Sequence, residues 1–346
     1  MPGAEKALPR YFSIIRSGEQ PLFKLLRRIA CGKRSGIGKM WEEHERAMGL
    51  FRKERKKGFR GLRGKPDAAY SLLDLKYAIS LELLKSCVFC ERRCGVNRAE
   101  GKRGWCRVGA VSRVSTMFEH HGEESFLVPS GTIFFAGCTW SCAYCQNWDI
   151  SQFPENGTPM EGRGIAEWID RKAGSGRIIN ANFVGGEPTP NLHTILDTMR
   201  HCKTDTPMIW NSNMYMSEEA ARLLEGAVDA YLADFRYGNN GCAMRLSSAP
   251  KYMETATRNF LLTSAAAEMI VCILVLPSHV EDDAIPILKW IGKNIPDKCY
   301  VNLMRQYQPR YRAREFPEIN RALHGDEFAE AAAALKKCGI KYFEVQ

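Results

Sequence analysis

Three cysteines fall within eight residues in Gly137-Cys-Thr-Trp-Ser-Cys-Ala-Tyr-Cys-Gln-Asn147. The C-x3-C-x2-C spacing of Cys138, Cys142 and Cys145 can hold three irons of a cubane [4Fe–4S] cluster and leaves the fourth iron without a protein ligand. An open iron is a substrate-binding position, whereas a fourth cysteine would close the cluster for electron transfer. The competing readings are a zinc knuckle or three unrelated buried thiols. Zinc usually recruits four ligands from paired Cys or His clusters, and no such partner lies close by.

About forty residues on, Asn182-Phe-Val-Gly-Gly-Glu-Pro-Thr-Pro190 follows an apolar, strand-like run. Gly185 and Gly186 let the backbone approach a ligand, and Glu187 can accept from an ammonium group. Alone, such a turn is more often an ordinary strand-to-helix connection. Further strand ends carry Asn211, Ser212 and Asn213, suited to a ribose or carboxylate or to capping the helix from Ser217. Asp234 and Arg236 read first as an ion pair, Arg305 as a carboxylate clamp, and His279 as a solvated loop histidine. Upstream, Cys87, Cys90, Cys94 and Cys106 crowd four thiols into twenty residues interleaved with glycine. Zn(Cys)4 and an auxiliary [4Fe–4S] cluster both satisfy that count; a chain that already needs iron–sulfur assembly favours the cluster.

The two motifs together resemble the radical S-adenosylmethionine (radical SAM) superfamily. That resemblance implies that the open iron is chelated by SAM, which one electron cleaves to methionine and a 5′-deoxyadenosyl radical. It also implies a reduced ferredoxin or flavodoxin-type donor, Tyr144 near the adenine, and Gly185-Gly-Glu-Pro188 at the SAM amino group. More narrowly, Cys87-x2-Cys-x3-Cys-Gly-Val-Asn-Arg98, Gly101-x2-Gly-x-Cys106 and Ser130-Gly-Thr-Ile-Phe-Phe135 resemble the pyruvate formate-lyase activating enzyme-like (PflX-like) group. So do Asp234-Phe-Arg-Tyr-Gly238, Leu274-Val-Leu-Pro277, Tyr300-Val-Asn-Leu-Met304 and Pro317-Glu-Ile-Asn-Arg321. The resemblance spans about residues 85–346. Relatives commonly carry Arg-His where Cys272-Ile273 stands, which shifts the expected SAM-carboxylate contact to Arg236 or Arg305.

The elements that must position these residues alternate from Ser130 onward. Strands are predicted near 131–136, 178–184, 207–211, 228–233, 269–276 and 299–303, with a seventh at 340–345. Amphipathic helices are predicted near 164–173, 191–202, 217–226, 250–264, 282–293 and 325–338. This pattern argues a parallel sheet with outer helices, and six repeats fit the partial (β/α)6 TIM-type barrel that the family resemblance implies. Three segments are expected: a basic, helical extension (1–80), a cysteine-rich metal-binding unit (81–129) and the barrel (130–346).

Residues 1–66 carry 18 Lys and Arg against 6 Asp and Glu, so all of the chain's net charge of +10 resides there. A basic segment of this density favours an acidic partner, unless it simply packs on the barrel through Leu22, Phe23, Leu25, Leu26, Ile29 and Trp41. No apolar run reaches the length of a membrane span and no signal-peptide core is present, so a cytoplasmic protein is expected, in a low-oxygen setting. The remaining cysteines (Cys31, Cys202, Cys242, Cys272, Cys299 and Cys338) are scattered and read as core thiols of a reducing compartment. The expectation is a radical SAM enzyme that abstracts hydrogen from a protein or peptide, engaged partly by the basic extension. RNA modification is the alternative within enzymes, and a non-catalytic zinc-binding adaptor the alternative outside them.

Overall fold

The computed structural model describes residues 2–346. Five helices come first: α1 (Pro2–Ala7), α2 (Pro9–Ser17), α3 (Leu22–Leu26), α4 (Ile37–Lys56) and α5 (Leu72–Leu84). There follow β1 (Arg113–His120), β2 (Ser130–Phe135), α6 (Trp148–Ser151), β3 (Thr158–Pro159), α7 (Gly162–Gly174), β4 (Asn180–Gly185), α8 (Leu192–His201) and β5 (Met208–Ser212). The chain continues through α9 (Glu218–Leu224), β6 (Ala230–Asp234), α10 (Asn240–Ser247), α11 (Tyr252–Ala266), β7 (Glu268–Leu274), α12 (Ile285–Asn294), β8 (Tyr300–Met304), α13 (Gly325–Lys337) and β9 (Phe343–Val345).

All nine strands form one sheet in the order β3-β1-β2-β4-β5-β6-β7-β8-β9. From β2 to β9 every pairing is parallel, and β1 runs antiparallel between β2 and β3. Helices in each crossover cover the outside, giving an open, partial TIM-type barrel. All seven predicted strands and six predicted helices are present. The antiparallel pair β1 and β3 and the short helix α10 were not anticipated.

Strand residues alternate between two environments, as the pleat requires. Phe135, Phe183, Trp210, Tyr231, Val271 and Leu303 face outward and merge with the helices' apolar stripes. Ile209, Leu232, Ile270 and Tyr300 face inward and pack against Ala4, Leu8, Tyr11 and Phe12 of the first two helices and their junction. The basic extension therefore contributes core: Leu22, Phe23, Leu25, Leu26 and Ile29 are buried, and Trp41 is packed partly against the same cluster. Docking is polar too. The first turn of α2 has no side-chain cap of its own, and Glu268 of β7 accepts from the Arg10 and Tyr11 amides at 2.6 and 2.7 Å. Among the described residues no helix is long and apolar enough to cross a membrane.

Candidate active site

The inner face is apolar at its base and polar at the carboxyl ends of the strands, where a cleft of about 300 Å³ opens. Cys138, Cys142 and Cys145 lie in the loop after β2, on its wall. That loop is pinned by backbone bonds from Ser141 and Ala143 to the carbonyls of Ser247 and Leu246 at the end of α10 (3.0 and 2.7 Å). Each sulfur has a donor or hydroxyl neighbour: the Trp140 amide at 3.4 Å from Cys138, the Ser247 hydroxyl at 3.0 Å from Cys142, and the Ser151 hydroxyl at 3.4 Å from Cys145. Ser247 is held in turn by Tyr237, whose hydroxyl lies 2.8 Å from that of Tyr144. Burial raises all three thiol pKa values, that of Cys142 to about 12. Without a metal these are neutral thiols; a cation is what makes them thiolates.

The Gly-Gly-Glu-Pro segment ends β4 beside the cysteine loop. Gly185 has φ +121°, and a Cβ there would sit 2.1 Å from the Phe135 carbonyl oxygen; one on Gly186 would sit 2.4 Å from that of Gly137. The two glycines are thus needed where strand end and cysteine loop meet. Glu187 is buried and accepts from the hydroxyls of Ser212 (2.7 Å) and Thr189 (2.5 Å) and from the Asn213 amide (3.0 Å), tying the ends of β4 and β5 together. Burial raises its pKa. Asn213 also reaches Thr139 in the cysteine loop at 3.0 Å. Asp234 and Arg236 pair at 2.8 Å.

Of the residues anticipated from sequence, the three cysteines, Tyr144, Gly185, Gly186, Glu187, Asn211, Ser212, Asn213, Asp234 and Arg236 line this one cleft. Pro188 and Arg305 are not part of its lining; the Arg305 guanidinium lies over the Phe328 ring. His279 is buried behind the strand ends rather than solvated. Sequence reasoning missed Glu123 and Glu124, which the β1–β2 turn, at the amino ends of the parallel strands, brings into the barrel to line the cleft. Glu124 accepts from Asn302 at 2.9 Å, and its other oxygen is buried without a partner among the described residues. Burial, with Glu124 and Asp234 nearby, pushes the Glu123 carboxyl up to about 7.

The Radical SAM superfamily model matches residues 132–291, the stretch from β2 to α12 that carries both motifs. The chain is also 45% identical over 276 residues to the uncharacterized protein MJ0674 of Methanocaldococcus jannaschii, covering 78% of this chain and 80% of that one. The chain belongs to the radical SAM superfamily. Membership implies a [4Fe–4S] cluster and SAM, and makes the protein a radical SAM enzyme. Among solved structures, Streptococcus suis SuiB bound to S-adenosylmethionine overlaps at TM-score 0.44 with 10% identity, over 60% of this chain and 48% of that one. TYW1 with a lysine-pyruvate adduct bound overlaps at TM-score 0.39 with 14% identity, over 63% and 75%.

The residues present fit both groups. Three thiols with nearby donors suit the sulfur-ligated irons of an open cluster. SAM carries a sulfonium and an ammonium against one carboxylate. Among the described residues the cleft lining holds Glu123, Glu124, Glu187 and Asp234 against Arg236 alone, a balance that favours a cation.

The four upstream cysteines sit next to this radical SAM site. The Cys106 carbonyl and the Val108 side chain close over Gly137, where a Cβ would lie 2.9 and 2.2 Å from them. Arg92 donates to the Thr139 carbonyl at 3.0 Å, and Arg98 to the Pro190 carbonyl at 2.7 Å. Cys87 is drawn toward its thiolate, first by a hydrogen bond from Cys94 and further by the Arg98 guanidinium at 3.6 Å. Cys90 and Cys106 are held protonated by burial.

Proposed function

We propose that this radical SAM enzyme acts on a polypeptide, in the manner of the pyruvate formate-lyase activating enzyme-like group that its motifs resemble. The observation that carries the substrate class is the charge of the cleft. Among the described residues four carboxylates line it against one guanidinium, already paired with Asp234, and the remaining polar lining is largely amide: Gln146, Asn147, Gln306, Gln308 and Gln346. Amide side chains match the donors and acceptors of a peptide backbone, whereas a polyphosphate chain would need cations there. The outer edge of β9 is unpaired among the described residues and gives an extended peptide a strand to lie against.

In this reading Cys138, Cys142 and Cys145 hold the cluster, with Ser247, Ser151 and the Trp140 amide bonding their sulfurs. Bound together, cluster and SAM supply a 5′-deoxyadenosyl radical, one electron coming from a ferredoxin or flavodoxin-type donor. Tyr144 packs near the adenine, while Gly185, Gly186, Glu187, Asn211, Ser212 and Asn213 shape the floor under the nucleoside and the amino-acid end. Arg236 takes the SAM carboxylate and Asp234 a ribose hydroxyl. The protein's share of the chemistry is to bring the substrate carbon beside C5′ and keep water and stray hydrogen donors out. The thiols Cys87, Cys90, Cys94 and Cys106 hold a second cluster or a zinc ion.

The test uses the reconstituted enzyme with SAM, dithionite and an extract from cells grown in deuterated medium. Deuterium should enter 5′-deoxyadenosine, vanish in the Cys138→Ala, Cys142→Ala, Cys145→Ala variant, and vanish after protease treatment of the extract. Transfer that survives protease but not ribonuclease would replace polypeptide by RNA.

A further inference from the structure

Outside the cleft, three side chains of metal-ligand type converge that the reaction does not use. Cys242 Sγ, a ring nitrogen of His279 and a carboxylate oxygen of Asp283 lie within 4.8 Å of one another. Cys242 sits in the first turn of α10, half-buried; His279 and Asp283 are buried in the turn between β7 and α12. None of the three lines the cleft.

Their polar surroundings are prepared on three sides and incomplete on the fourth. Asp283 Oδ1 accepts from the Gly238 amide at 2.8 Å and from Asn239 Nδ2 at 3.4 Å, while Oδ2 is buried with no hydrogen-bond partner of good geometry among the described residues, the Cys242 thiol being its neighbour. An unpaired buried oxygen of this kind costs about 1–3 kcal/mol. His279 Nδ1 lies 2.8 Å from the Pro277 carbonyl oxygen, so Nδ1 carries the proton and Nε2 keeps the lone pair. A backbone carbonyl that fixes one ring nitrogen in this way is the usual outer support of a metal-binding imidazole. Asn239 clasps the third group, accepting from the Cys242 amide at 2.8 Å and reaching its sulfur at 3.2 Å. His279 Nε2 faces Arg245 at 3.2 Å; that guanidinium is half exposed and already paired with Glu318, which retains it when the lone pair is used elsewhere.

We propose that Cys242, His279 and Asp283 form a zinc(II) site. Thiolate, imidazole and carboxylate are the donor set of a tetrahedral zinc with water in the fourth position, and thiolate with imidazole disfavours calcium and magnesium. Binding converts the Cys242 thiol to a thiolate and releases its proton to solvent. The ion would staple the β6–α10 loop to the β7–α12 turn. Gly238, whose amide bonds Asp283, follows Tyr237, and Tyr237 holds the Ser247 hydroxyl that bonds Cys142. The ion would therefore tie these two segments together behind the cysteine loop, whichever substrate the enzyme takes.

Crystals of the cluster-loaded, full-length protein soaked in zinc chloride give the direct test, with anomalous differences collected on both sides of the zinc and iron edges. A zinc peak bounded by these three side chains is expected. Its absence, or a peak at the iron edge alone, overturns the assignment. In solution, Cys242→Ser and Asp283→Asn should each lose one zinc equivalent per chain in competition with a chelating indicator, an affinity drop of at least about 100-fold. Asp283→Asn keeps the acceptor for Gly238, so the loop stays folded. Zinc binding equal to that of the unsubstituted protein in both variants would sink the proposal.

Discussion

Burial sets the charge of the cleft at one residue, Glu123. Its carboxyl is pushed up to about 7 because it is desolvated beside Glu124 and Asp234. Below that pH it is neutral, and above it the cleft gains a negative charge that draws a cation. SAM affinity of the cluster-loaded, unreduced enzyme should therefore rise as pH climbs through 7, by about three- to tenfold between pH 6 and 8. Glu123→Gln should bind SAM with a flat profile over that range. Titration calorimetry on both proteins checks this, and an equal rise in the variant removes Glu123 from the SAM site. The residue was not legible in the sequence. The cysteines announce themselves by local spacing, and Glu187 by its glycines, but Glu123-Glu124 is an ordinary acidic pair in a turn. Only its return over β4 and β8, where Asn182 and Asn302 donate to the two carboxylates, gives it a place in the site.

At the scale of elements, the decisive contact is between the end of β4 and the cysteine loop. The sequence suggests that Gly185 and Gly186 admit a ligand; in the structure the atoms that crowd them are backbone of Phe135 and Gly137. Gly186→Ala should force the loop away from β4, because a Cβ 2.4 Å from a carbonyl oxygen has no flexible neighbour to displace. A stability loss of about 1–3 kcal/mol is expected, with fewer than the full complement of irons retained per chain after desalting. Normal iron content and an unchanged melting temperature would show that the two loops are not coupled. Most of the parallel sheet was readable because each strand is a short apolar run bounded by turns and followed by an amphipathic helix. β1 was not, because its eight residues are only partly buried and its partner β3 has just two. α10 begins at Asn240 in a Gly- and Asn-rich stretch that reads as loop, and its start depends on the Asn239 side chain bonding the Cys242 amide.

Across the whole molecule, the first eighty residues do two things that their charge alone conceals. Their apolar residues complete the core: Leu8, Tyr11 and Phe12 fill the base of the inner face against Leu232 and Ile270, and Glu268 caps α2 from the opposite end of the chain. Some of their cations bond into the fold, as Arg27 and Lys76 do to the carbonyls of Cys202 and Arg222, but Lys53, Lys56 and Arg60 are exposed. For these three exposed cations, charge and core packing reside in different side chains, and the two can be separated. Glu268→Ala leaves two part-buried amide donors without their acceptor and should lower stability by about 1–3 kcal/mol. Replacing Lys53, Lys56 and Arg60 together by glutamine removes three positive charges and should shift stability by no more than about 0.5 kcal/mol per site. Urea denaturation of the two variants decides the matter. A loss on neutralisation as large as that of Glu268→Ala would mean that the cations hold the extension in place. The expected contrast leaves them available to a partner outside the fold, where binding to an acidic surface would weaken with salt as each of the three is removed.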